Sequence, residues 1–351
     1  MRLRALPAAA VAAAGLLLTS CGGTASTGGA TAAPLVGIDY PRSDTDFWNS
    51  FNRHTSRSAE KLGLELRTTT SQDGVASLTA NVQTMISQGV EGVVMAPQDT
   101  AAIAPSLHRL TAGKIPVVTV DTRPDSGKVF MVVRADNRAY GTKACRYLGT
   151  KLRGRGKVVM LEGDLSSING RDRTEAFNDC MAEHYPRIRV FGEATNWDPS
   201  VAAQKLQTDL TAHPDIGGVY TQSSFALSGT LQVLRRKGLL HPPADPRHVF
   251  VVSNDGIGEE LKDIAAGRID ATVSQPADQY ARYALFYIKA AIAGRTFRPG
   301  ATRHRSRIIQ VRPGVLEDQL EAPLVTRDGG THDGVTSVKS TDPALWGNHS
   351  R

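Results

Sequence analysis

Two aspartates end apolar runs in this chain, Asp121 in PVVTVDT (116–122) and Asp255 in FVVSNDG (250–256). A carboxylate closing a buried, β-branched run is costly unless something pairs with it. Other polar and aromatic residues follow similar runs. They are Phe47 and Trp48 in YPRSDTDFW, Asp73 in TSQDG, Arg173 in SSINGRDR, Trp197 in TNWDP, Ser223 after GGVYTQ, and Gln275 closing IDATVSQ. The set holds aromatics, carboxylates, a guanidinium, an amide and a hydroxyl, without a histidine, a cysteine or a metal cluster. Those types suit a hydroxyl-rich guest. Trp48, Trp197 and Phe47 offer faces to apolar C–H surfaces. A carboxylate accepts from neighbouring hydroxyls, and Arg173 donates a fork.

Several of these residues also have a structural reading. Phe47 is as well placed to be core, and Asp73 to cap a helix starting at 75. One of Arg171 and Arg173 suits a surface ion pair, and Asp136 suits the cap of a helix over 138–152.

The elements that would position these residues alternate. Strand-like runs are 35–40, 64–70, 92–97, 116–121 and 129–136, with helical patterns over 46–62, 75–88 and 100–112. After 137 the alternation restarts. Strands are expected at 157–161, 189–194, 217–222, 249–253 and 269–275, and helices at 138–152, 172–184, 199–212, 224–237, 257–266 and 278–293. Val75, Leu78, Val82, Met85 and Ile86 fall on one 3.6-residue face. Strands separated by helices imply parallel sheets covered on both faces, and two such runs imply two doubly wound lobes. Ligands of open α/β sheets bind beyond the carboxyl ends of the strands, which is where the residues above fall.

With 351 residues the chain has room for two lobes. Arg2 and Arg4 precede an Ala/Leu/Val run from Ala5 to Leu18. That run is shorter than the roughly 20 residues a bilayer requires and suits an export signal over 1–20. It ends in LTSC, which resembles the lipobox of bacterial lipoproteins, with Cys21 as the acylated residue. A Gly/Ser/Thr/Ala tether over 21–34 would follow. This places the chain outside the cytoplasm, lipid-anchored to the outer face of the cell membrane. The formal charge is +7, but the basic residues are scattered and no groove-reading motif accompanies them, so nucleic acid is excluded as a partner. Cys145 and Cys180 both fall in expected helices; a disulfide and two buried free thiols are equally open.

Read in order, ANVQTMISQGVEGVVMAPQDTAAI (80–103), IPVVTVDT (115–122), ADN (135–137), GRDRTEAF (170–177), DLTAHPDIGGVYTQ (209–222), VVSNDG (251–256) and ATVSQPADQYA (271–281) resemble a known family. It is the periplasmic-binding-protein-like sugar receptors of ABC importers, close to the ribose-binding type. The resemblance runs over roughly 35–348. It implies a type I architecture: two doubly wound parallel-sheet lobes joined by a multi-strand hinge. The lobes would be 35–136 with 277–305, and 137–276 with 306–322, followed by a tail over 323–351, with crossings near 136, 276 and 305. Ligand positions carried over from the family fall on Phe47, Trp48, Asp73, Asp121, Arg173, Trp197, Ser223, Asp255 and Gln275. Thr122 and Ser223-Ser224 depart from the family pattern, which often has arginine at the first position and asparagine-aspartate at the second. A hexose, a deoxysugar, a polyol or a related cyclic ligand then becomes possible. The resemblance further implies a monomer without cofactor that closes on its ligand by hinge motion and is recognised, closed, by a membrane permease.

Three other classes compete. A dehydrogenase needs G-x-G-x-x-G after its first strand, whereas YPRSDTDFW stands there; no nucleophile elbow or metal-binding helix motif appears either. A sugar-responsive transcription regulator needs a DNA-binding headpiece where the export signal lies. A sensor lipoprotein that signals to a membrane receptor without transport would share the same fold and site.

Overall fold

The computed structural model describes residues 32–72 and 74–349. The expected export signal, Cys21 and most of the tether lie outside those residues, as does Asp73. Among the described residues no helix is long and apolar enough to cross a membrane.

In chain order the first lobe begins with β1 (Leu35–Tyr40), α1 (Asp46–Leu62), β2 (Glu65–Thr70), α2 (Val75–Ser87), β3 (Gly92–Met95), α3 (Ala104–Ala112), β4 (Val117–Val120) and β5 (Met131–Ala135). The second lobe follows with α4 (Asn137–Lys151), β6 (Arg155–Glu162), α5 (Ile168–His184), β7 (Arg187–Ala194), α6 (Pro199–Ala212), β8 (Gly218–Thr221), α7 (Leu227–Arg236), β9 (Phe250–Asp255), α8 (Gly258–Ala266) and β10 (Ala271–Ser274). The chain then returns to the first lobe through α9 (Ala277–Ile292), β11 (Gly300–Ala301), β12 (Arg307–Arg312) and β13 (Val315–Leu320). It ends on the second lobe with β14 (Leu324–Thr326), β15 (Gly330–His332) and β16 (Val335–Lys339).

Each sheet has eight strands, ordered β11-β12-β13-β5-β4-β3-β1-β2 in the first and β15-β16-β14-β10-β9-β8-β6-β7 in the second. The five parallel strands of each follow the same winding: β2-β1-β3-β4-β5 and β7-β6-β8-β9-β10. This order reverses direction beside the first strand, and such a reversal opens a crevice at the strands' carboxyl ends.

Helices cover both faces, as parallel sheets require. Phe47, Trp48 and Phe51 of α1 and Tyr280, Ala284 and Ile288 of α9 pack with Val36, Ile38 and Val118. Leu78, Val82 and Met85 of α2 and Leu107 of α3 pack with Val93, Met95 and Val117. In the second lobe α6, α7 and α8 close one face through Leu206, Leu234 and Ile264, while α4 and α5 lie against the other. Those two helices approach so closely that a Cβ on Gly141 would stand 2.3 Å from the Arg173 carbonyl. Cys145 and Cys180 join them in a disulfide with a Cα separation of 6.2 Å.

One expectation is corrected. The third crossing lies at 321–323, between β13 and β14, and not near 305; the run 306–322, expected in the second lobe, extends the first sheet instead. A turn at Pro313-Gly314 makes β12 and β13 a hairpin, and β13 then pairs parallel to β5. The acidic residues that hide β13 in the hydropathy pattern are buried with partners. Glu317 accepts from Arg123, while Asp318 accepts from Tyr287 and Ser306.

Candidate functional site

The carboxyl ends of the two sheets face one another across a cavity of about 50 Å³. Phe47, Trp48, Asp121, Arg173, Trp197, Ser223, Asp255 and Gln275 all line it. The structure thus brings together every predicted residue that it describes. It adds Arg42, Thr45, Gln98, Asn169 and Phe225. Arg42, Thr45 and Asn169 lie inside the stretches YPRSDTDFW and SSINGRDR, and Phe225 follows the serine pair. Gln98, in MAPQDT, follows β3 and is reachable by the strand-end rule alone.

Asp121 directly follows β4. Its N–H still donates to the Val133 carbonyl at 2.9 Å, but its φ of 64° turns the chain out of the sheet. Positive φ is uncommon for a residue with a side chain and gathers at functional sites. Oδ2 accepts from Asn169 Nδ2 at 3.0 Å, and buried Oδ1 has no partner among the described residues. Burial pushes its pKa up to about 6, against the opposing charges of Arg173 and Arg134.

Asp255 ends β9, also with positive φ, at 108°. Its Oδ2 accepts from Ser223 Oγ at 2.7 Å, Ser224 N at 2.8 Å and Ser224 Oγ at 2.7 Å. Oδ1 accepts from Gln275 Nε2 at 3.2 Å and keeps a lone pair toward the cavity. The Asp255 carbonyl accepts from Trp346 Nε1 at 3.2 Å, so the tail supports this corner. Burial raises the carboxyl's pKa, while Arg173 and the serine donors oppose the rise. Below it, Glu260 Oε2 accepts from Gly256 N at 2.6 Å and Ile257 N at 3.1 Å, tying the start of α8 to this strand end.

Arg173 is the cation between the carboxylates. It donates to Asn137 Oδ1 at 2.7 Å, to the Gln222 carbonyl, and to Gln275 Oε1 at 2.9 Å. Tyr140 and Trp197 lie 4.7 and 5.8 Å from its carbon. A guanidinium has five donors, so the fork is immobilised with capacity to spare. The surface ion pair belongs to Arg171, whose Nη2 donates to Asp125 Oδ1 at 2.6 Å. Asp136 caps α4 by accepting from Ala139 N at 3.1 Å and does not line the cavity.

The aromatic walls come from both lobes. Thr45 caps α1 by accepting from Trp48 N at 3.3 Å. That places Phe47 and Trp48 in the first turn, with ring centroids 5.0 Å apart. Both pack in the core as well as lining the cavity, so the two readings of Phe47 hold together. Trp197, with φ 58°, lies on Gly163, where a Cβ would stand 2.0 Å from the ring. Its Nε1 is buried without a partner among the described residues.

Direct contacts hold the lobes closed over the cavity. Asn169 spans them, donating to Asp121 and accepting from Arg134 Nη2 at 2.8 Å. Arg134 also donates to Asp172 Oδ2 at 2.9 Å, and Arg42 Nη1 donates to the Trp197 carbonyl at 3.2 Å. Thr100 N donates to the Ser166 carbonyl at 3.3 Å. The cavity therefore offers a carboxylate acceptor, an indole donor, guanidinium N–H groups and apolar ring faces between the two lobes. No group of three or more His, Cys, Asp or Glu among the described residues is arranged to hold a metal ion.

Comparison with known proteins bears on the family and the fold. A family model described as a periplasmic binding protein domain matches residues 36–296. The ribose import binding protein of Salmonella typhimurium is 29% identical over 250 residues, covering 71% of this chain and 82% of that protein. The xylitol-binding protein of Mycolicibacterium smegmatis is 24% identical over 319 residues, covering 90% and 86%. A Mycobacterium smegmatis ABC-transporter solute-binding protein solved with bound glycerol superposes with a TM-score of 0.70 at 27% identity, covering 76% of this chain and 90% of that one. One from Agrobacterium vitis, solved with α-D-tagatopyranose, gives 0.74 at 19% identity, covering 89% and 97%, a likeness of fold.

Proposed function

This chain belongs to the periplasmic binding protein domain family, and we propose that it captures a sugar or polyol between its lobes and delivers it to the permease of an ABC importer. The observation that carries the reading is a pair of buried polar atoms in the cavity, Asp121 Oδ1 and Trp197 Nε1, that have no partner among the described residues. Left dry, each costs about 1–3 kcal/mol. A hydroxyl satisfies either one, by donating to the carboxylate or accepting from the indole. Vicinal hydroxyls on an apolar carbon frame satisfy both and leave C–H faces for Phe47, Trp48 and Trp197. Ser223, Gln275 and Asp255 hold the opposite edge, and Asp73 completes the ligand set.

Closure makes this a binding cycle rather than a reaction. The Asn169, Arg134 and Arg42 contacts span the lobes, so a ligand that bridges the same surfaces adds to them and shifts the population toward the closed form. That form is what the permease reads. Within the family we place the chain near the ribose-import type. Ser223 and Ser224 both spend hydroxyls on Asp255, which favours a polyol or a sugar other than ribose. Export by the 1–20 signal and acylation at Cys21 would hold the protein, as a monomer, at the outer face of the cell membrane.

A thermal-shift screen over pentoses, hexoses, polyols and nucleosides tests the proposal. A ligand at 100 times its dissociation constant adds about 2.7 kcal/mol of stability. A screen in which every sugar and polyol leaves the melting curve unmoved contradicts the reading.

A further inference from the structure

A second concavity lies on the outer side of the first lobe, away from the sugar cavity. It is a groove of about 1230 Å³ between α1, α9 and the 295–304 loop. Half-buried Tyr283, Phe286 and Phe297 form part of its floor. Arg57, Lys61, Arg282, Arg295, Arg298 and Arg303 line it, all exposed. None of these six cations forms an ion pair among the described residues, although Arg138, Arg146, Arg171, Lys157 and Arg247 elsewhere all do. Two of them lie over ring faces instead, Arg282 over Tyr283 and Arg295 over Phe286 and Phe297. Asp278 is the single carboxylate in the lining. Six like charges held together repel one another and lower the stability of the fold, so their concentration calls for an anionic counterpart. Sequence order hides the cluster, because the cations come from three separate segments.

The groove's position identifies the counterpart. Helix α1 runs back from the cleft, and its last turn lies beside the start of β1, where Glu65 N donates to the Pro34 carbonyl at 3.0 Å. The end of α9 reaches the same place, since Lys289 Nζ donates to the Leu62 carbonyl. Lys61 and Arg295 therefore stand at the end of the lobe where the chain enters at Pro34. Cys21 to Pro34 is fourteen residues, at most about 50 Å even when fully extended. A lipid on Cys21 thus keeps this basic end within reach of the membrane.

We propose that the groove between α1 and α9 is a docking surface for the anionic phospholipid headgroups of the membrane to which the protein is anchored. It rests on the extracytoplasmic, acylated reading above. Arginine forks match phosphate bidentately, basic residues are drawn to an anionic leaflet, and the half-buried rings suit the interfacial zone.

The test uses the full chain and a full-chain variant, R295E/R298E/R303E, with vesicles of phosphatidylcholine alone or with 30% phosphatidylglycerol. The leader and Cys21 are the same in both proteins, so their difference isolates the groove. The parent should partition to the phosphatidylglycerol vesicles on the order of 100-fold more strongly than the variant, and 0.5 M NaCl should abolish the difference. Neutral vesicles should not separate the two. A second variant on α1, R57E/K61E, should lose affinity in the same direction. Both variants should keep the wild-type sugar-induced thermal shift, so a failure of the groove is distinguishable from a failure of the receptor reading. Equal partitioning of parent and variants on anionic vesicles would overturn the proposal. So would displacement by millimolar inorganic phosphate at constant ionic strength, which would mark a site for a free anion.

Discussion

Asp121 and Asp255 are topological equivalents: each closes the fourth strand of its own lobe, each has a positive φ, and the two carboxylates face one cavity. The repeated winding explains why apolar runs end twice on aspartate. Their surroundings differ, however. Asp255 is held by two serine hydroxyls, an amide N–H and Gln275, whereas Asp121 has, among the described residues, one donor and one oxygen without a partner. Asp121→Asn should therefore leave the ligand-free protein at least as stable as the wild type at neutral pH, while weakening ligand binding by roughly 10- to 100-fold, the loss of one charged hydrogen bond. Asp255→Ala should in addition lower the stability of the ligand-free protein by about 1–3 kcal/mol, because it orphans buried donors. Denaturant melts and calorimetric titrations on the two variants would read both effects; an equal cost in ligand-free stability would contradict the asymmetry.

Burial pushes the Asp121 carboxyl up to about 6, above the roughly 3.9 of an unfolded chain. Between those values the folded protein holds a proton that the unfolded chain has released. The contribution to stability is then fully present below about pH 4 and is lost as pH rises through 6. A ligand hydroxyl that donates to Oδ1 favours the ionised form, so binding expels this proton. Affinity should rise with pH up to about 6, by at most tenfold per unit for one proton, and then level off. Asp121→Asn should flatten that profile, and a wild-type affinity constant from pH 5 to 7.5 would contradict the coupling.

The Trp197 ring depends on the bare backbone of Gly163. Gly163→Ala would force the indole off its seat and with it the buried Nε1. We expect weaker ligand binding and a shifted tryptophan emission, while Gly154→Ala, remote from the cavity, should leave both unchanged.

Asn169 couples closure to the site, because its amide links Arg134 to Asp121 across the lobes. Asn169→Ala removes both bonds and should open the ligand-free ensemble. Solution scattering should show a larger radius of gyration, and affinity should fall by about tenfold. Unchanged scattering would mean that the bridge does not hold the closed form.

The α/β alternation, the two-lobe plan and the strand-end residues were legible because periodicity and the position of Asp121, Asp255 and Gln275 are local properties of the chain. The β12–β13 hairpin was not. Its membership in the first sheet is decided by pairing with β5, nearly two hundred residues earlier, and Glu317 and Asp318 disguise a buried strand. Asn169 and Arg42 were within reach as members of quoted loops, but their roles arise only when the lobes meet. The serine pair 223–224 reads as a loop; that both hydroxyls converge on one carboxylate oxygen is a fact of three dimensions.

The structure of the complex with the strongest ligand from the screen tests the central claim most directly. The account predicts one hydroxyl within hydrogen-bond distance of Asp121 Oδ1, another oxygen on Trp197 Nε1, and a third contact to Asp255 Oδ1 from the opposite lobe. A ligand seated elsewhere, or one in this cavity that leaves Asp121 Oδ1 and Trp197 Nε1 untouched, would contradict it.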